Sequence, residues 1–105
     1  MEIRVLIKEP GKDPELKNIE NSLESLQEAV GGYIETVTLT TDLAIVCNEE
    51  GRLLGLPYCC KICSVDFVGT IVMVGVKGTE FSDLPGDVER HAKQLFPNLW
   101  EEQNG

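Results

Sequence analysis

The densest group of chemically capable side chains in this chain is Cys59, Cys60 and Cys63, with Lys61 among them. Cys60 and Cys63 are two residues apart, a spacing that lets two thiolates reach one tetrahedral metal ion. A closed zinc site takes four ligands, so Cys59, Cys60 and Cys63 would need Cys47 or His91, the single histidine, from elsewhere in the fold. The same spacing suits a dithiol redox pair in which Lys61 helps hold a thiolate. The residues ahead of the cysteines do not signal the helix N-terminus that usually lowers such a pKa. Without a second ligand pair, reduced cysteines packed as small apolar groups are the simpler reading, and no cofactor is expected. A metal or thiol-redox protein built on this loop is the alternative.

Carboxylates form the second group. Glu20, Glu24 and Glu28 stand four apart and would make one acidic row on a helix, where like charges cost a few tenths of a kcal/mol per pair. Such a row can be a solvated face, a surface for a basic partner, or a mimic of DNA phosphates that occupies a nucleic-acid enzyme. The third group is Tyr33, Asn48 and Arg52, which could line a groove where a helix stops and strands begin. Lys8 and Lys12 flank a turn and could meet a small anion, although a plain turn explains them. His91 pairs with Asp87 at i−4 on the surface. With one histidine and no nucleophile–base pair in view, a non-enzymatic protein is expected.

Positioning these groups requires an α+β domain with a mainly antiparallel sheet and two helices packed against it, in the order β-α-β-β-β-β-α. Residues 2–8 are a buried strand, closed by the turn formers Pro10, Gly11, Asp13 and Pro14. Apolar Ile19, Leu23, Leu26 and Val30 recur at helical spacing, Asn21 and Glu24 can close a capping box, and Gly31 and Gly32 supply the stop. Strands follow at residues 33–39 and 43–47, and the loop 48–51 predicts a hairpin whose second arm is residues 52–57. Residues 68–76 are a further strand whose Gly69 and Gly75 signal a bulge or the close approach of another backbone. A last helix starts at Asp83 or Pro85 and runs to about Phe96, with Pro97 ending it. Phe96 and Trp100 would cover the core edge or an oligomer contact. The expected organisation is one domain over residues 1–100 and a frayed tail at 101–105.

The 105 residues suffice for one small core, and 42% hydrophobic with 26% charged residues is the composition of an ordinary globular protein. A net charge of −9 repels nucleic-acid phosphates and anionic lipid, so direct nucleic-acid and membrane binding are disfavoured. No apolar run approaches the roughly 18 to 20 residues that span a bilayer, and a cytoplasmic location is expected.

Residues 5–12, the block Leu-Gln-Glu-Ala-Val-Gly-Gly-Tyr-Ile-Glu ending at Glu35, and residues 47–57 with Asn48-Glu49-Glu50-Gly51 resemble domain-of-unknown-function family 3846. Val68-Gly69-Thr70 and Val74-Gly75 agree with it, so the similarity spans residues 3 to 82. The resemblance implies a small bacterial or phage protein associated with mobile elements and brings no activity with it. The chain departs from the family at residues 58–63, where the cysteines replace residues that are usually polar. The reading that follows is a protein-binding module, with a homodimer possible and the acidic helix face as the expected surface.

Overall fold

A computed structural model describes residues 1–90. The elements are β1 (Glu2–Lys8), β2 (Glu15–Glu20), α1 (Leu23–Val30), β3 (Ile34–Thr40), β4 (Leu43–Asn48), β5 (Tyr58–Ile62), β6 (Val65–Val68), β7 (Ile71–Lys77), β8 (Glu80–Ser82) and α2 (Gly86–Arg90). The main sheet has the order β2-β1-β7-β4-β3, with β8 added along β7, and every pairing is antiparallel. β5 and β6 form a separate two-stranded sheet. The α+β class with two helices and a mainly antiparallel sheet is therefore what the chain adopts.

Period-two alternation divides the main sheet into two faces. Ile3, Val5, Ala44, Val46, Val72 and Val74 point to one side and pack with Leu26 and Val30 of α1. Leu6, Ile45, Cys47, Ile71 and Met73 point to the other and pack with Cys59, Cys60, Ile62 and Phe67 of the β5–β6 hairpin. The result is three layers: helix, sheet, hairpin. Each fully buried Val, Leu or Ile contributes roughly 1.5–3 kcal/mol. With both faces covered, β4 and β7 read as continuous apolar runs rather than alternating ones.

Local signals explain several boundaries. α1 begins at Ser22, whose hydroxyl accepts from the Ser25 amide at 3.2 Å, and ends at Gly31 in the left-handed conformation, φ 77°. Gly75 lies within β7, where a Cβ would stand 2.0 Å from the Asp83 carbonyl oxygen. The close backbone approach expected of a strand glycine is thus the chain entering α2 from β8. Gly69 instead precedes β7, in the turn that leaves β6.

Other expectations are corrected. Residues 15–20 form edge strand β2, so Ile19 is not helical and Glu20 ends a strand. The capping box of Asn21 with Glu24 does not form: Ser22 is the cap, and Asn21 donates its side-chain amide to the Phe81 carbonyl at 3.0 Å. Residues 52–57 make no strand. Bonds from Leu54 to Glu50 O and from Leu56 to Gly51 O coil them into turns that carry the chain over to the second sheet. The predicted course of the last helix beyond Arg90, and the expectations for His91, Phe96, Trp100 and the tail 101–105, lie outside the described residues. Among the described residues no helix is long and apolar enough to cross a membrane.

Candidate functional site

The thiols occupy strands and a turn rather than one loop. The β5–β6 register slips between Tyr58 and Cys60, leaving Cys59 as the extra residue of a bulge. That bulge lets neighbours Cys59 and Cys60 both face the core, at 1% and 5% exposure. The Cys59 thiol donates to the Lys8 carbonyl at 3.4 Å. The hydrogen bond between the two thiols and the nearby Lys8 ammonium favour the Cys59 thiolate, whereas the same bond and burial hold Cys60 protonated. Cys63 is exposed, in the turn of the hairpin. Among the described residues no three His, Cys, Asp or Glu side chains are placed to hold a metal ion.

Lys8, which the loop reading would turn to an anion, is instead buried between sheet and hairpin, its ammonium donating to the Glu9 carbonyl. Lys12 pairs with Glu9 at 3.5 Å. The acidic row is also divided. Glu20 closes on the N-terminal ammonium of Met1 across the β1–β2 ladder, while Glu24 and Glu28 remain exposed on α1.

Asn48 and Arg52 do meet at a groove, of about 280 Å³, between the β3–β4 edge of the main sheet and β6. Glu35, Val37 and Cys47 lie on the main-sheet side, and Asp66 and Phe67 on the other. Two of the lining residues are joined directly, Arg52 donating Nη2 to the Asp66 carbonyl at 3.2 Å. The Asp66 carboxylate accepts from the Tyr58 hydroxyl at 3.0 Å and faces Lys61 at 3.9 Å. Cys47 donates to the Glu35 carbonyl at 3.6 Å, and burial with the adjacent Glu35 charge pushes its pKa up. Two exposed apolar side chains, Leu53 at 88% and Val65 at 40%, also line the groove.

Asn48 acts as a brace rather than a ligand-facing group. It is 7% exposed, donates Nδ2 to the Val30 carbonyl at 3.2 Å, and accepts from the Glu50 amide at 2.8 Å. It thereby satisfies an orphan carbonyl at the end of α1 and fixes the loop that carries Arg52. Gly32 is part of this brace, since a Cβ there would stand 2.9 Å from Asn48 Nδ2. The Tyr33 side chain is 67% exposed and outside the groove lining, although its carbonyl receives the Glu49 amide at 2.8 Å.

Sequence reasoning offers Cys47 only as a fourth metal ligand, and it brings neither Glu35 nor Val65, Asp66 and Phe67 to this groove. A period-two reading of residues 33–39 places Glu35 and Val37 on one face, but which face the hairpin covers depends on strands that are far apart in the chain.

These layers and this groove define a small three-layer α/β/β domain with a cleft at one sheet edge. The chain matches the family described as "Domain of unknown function (DUF3846)" over residues 3–96, and it belongs to that family. No curated protein and no solved structure matches it.

Proposed function

We propose that this is a protein-binding domain of a bacterial cell or of a mobile element within it, and that it works in the cytoplasm through the groove between β3 and β6. The observation that carries the reading is the groove itself: a cleft of about 280 Å³ whose lining includes the exposed apolar Leu53 and Val65 and the charged Glu35, Glu49, Arg52 and Asp66. Apolar side chains held in water beside a polar margin are the composition of an interface. Binding is favoured over catalysis because Cys47, the one thiol in the lining, is held as a thiol by burial and by Glu35, the reverse of an activated nucleophile. The division of Glu20 from Glu24 and Glu28 moves the favoured surface from the helix face to the groove.

The test is a selection of random peptides on the full chain, followed by binding to Leu53→Asp. Leu53 is 88% exposed, so the variant keeps the fold. The reading predicts that selected peptides lose about tenfold in affinity, or about 1.4 kcal/mol, on the variant. Selected peptides that all bind both proteins equally would place the surface elsewhere.

A further inference from the structure

Among the described residues β3 is an outermost strand, paired only with β4. The amide of Glu49 donates to the Tyr33 carbonyl, which makes Tyr33 and Glu49 a hydrogen-bonded pair of that ladder. Antiparallel ladders alternate, so Glu35–Cys47 and Val37–Ile45 are the next such pairs. Thr36 and Thr38, opposite Val46 and Ala44, therefore turn their amides and carbonyls away from β4. Both residues are exposed, and among the described residues nothing pairs with that edge.

Edge strands are commonly protected by lysine, proline or a bulge. The opposite edge, β2, carries Glu15, Lys17 and Glu20 in six residues. From Ile34 to Thr38, β3 has one charge, Glu35, and no proline or lysine, and its register irregularity lies beyond Thr38. That one charge faces the groove, where Glu49 and Asp66 add two carboxylates against the single cation Arg52. Tyr58 and Lys61 share Asp66, and among the described residues no ion pair joins Glu35 or Glu49, so these two carboxylates are the ones offered to a partner. A second copy of this chain would bring −9 against −9.

Resting on the protein-binding reading, we propose that β3 takes up a basic, extended segment of another protein by strand addition. The segment's backbone pairs with Thr36 and Thr38, and every second side chain, Lys or Arg, lies over Glu35 and Glu49. Main-chain pairing supplies affinity, and the alternate positions supply specificity.

The experiment titrates the ¹⁵N-labelled full chain with an end-blocked octapeptide alternating Lys and Val, beside its Glu–Val counterpart. The proposal predicts saturable shifts and slowed exchange at the Thr36 and Thr38 amides with the basic peptide only. It also predicts affinity at least tenfold lower in Thr36→Pro, which removes an outward amide without touching the β3–β4 ladder. Glu35→Gln gives a second reading, with a severalfold loss that shrinks at high salt. Absence of saturable shifts on β3, equal binding of the acidic peptide, or β3 shifts that depend on protein concentration alone would overturn the proposal. Selected peptides that need Leu53 yet bind Thr36→Pro unchanged would also overturn it, while keeping the groove as the binding site.

Discussion

The brace between Gly32 and Asn48 makes a coupled prediction. Asn48→Ala removes the bond to the Val30 carbonyl at 3.2 Å and the bond from the Glu50 amide at 2.8 Å, both at a residue only 7% exposed. At about 1 kcal/mol each, with a small cavity added, the expected cost is about 2–3 kcal/mol. Gly32→Ala would gain about 0.4–1 kcal/mol by restricting the unfolded chain. Its Cβ, however, would stand 2.9 Å from Asn48 Nδ2, so the side chain must move and its bond to Val30 weakens. The two effects leave Gly32→Ala between neutral and destabilising by about 0.6 kcal/mol in the native background. With Asn48→Ala already present the obstruction is gone, and the same substitution becomes stabilising. Urea unfolding of the four proteins should give a coupling of about 1 kcal/mol. An equal cost of Gly32→Ala in both backgrounds would refute the brace.

Three further outcomes are expected. Ser64 holds a left-handed backbone at φ 67° in the two-residue turn between β5 and β6, so Ser64→Gly should stabilise the chain by about 1 kcal/mol in chemical denaturation. Gly75→Ala sets a Cβ 2.0 Å from the Asp83 carbonyl and must push β8 off β7, displacing the Leu84 amide from the Arg4 carbonyl. A loss of about 3 kcal/mol or more in unfolding free energy is expected. The thiols predict a pH effect: Cys47 and Cys60 are raised from the ordinary value of 9.0, so their contribution is present below pH 9 and lost above it as the unfolded chain ionises first. Cys59, shifted the opposite way, contributes stability above pH 9 and loses it as pH falls below. Measured stability should fall above pH 9 by up to about 1.4 kcal/mol per pH unit per raised thiol, and Cys47→Ala should shallow that fall.

The elements legible in the residues are those specified by neighbours. β1 and β4 are apolar runs bounded by turn formers, and Gly31 stops α1 because a left-handed residue is needed there. β2 was hidden because Leu16 and Ile19 face opposite sides of an edge strand, so neither alternation nor a continuous run shows. Ile19 then mimics a helical repeat with Leu23. The β5–β6 hairpin was hidden because Cys63 and Ser64, rather than Asn and Gly, make its turn. Of the site, Asn48 and Arg52 were found because they flank a visible turn. Glu35 and Cys47 are register partners across β3 and β4, but Asp66 and Phe67 join them only when the hairpin folds over the sheet, a tertiary event that no local pattern records. The acidic row failed for the related reason that Glu20 belongs to a different element from Glu24 and Glu28.

The central claim is that the groove beside β3 is the binding surface. The most direct measurement is the affinity of selected peptides for the native chain and for Leu53→Asp, read alongside amide shifts across β3 and β6. The account predicts shifts confined to these strands and about tenfold weaker binding to the variant. Unchanged affinity, with shifts gathered instead on α1 around Glu24 and Glu28, would contradict it.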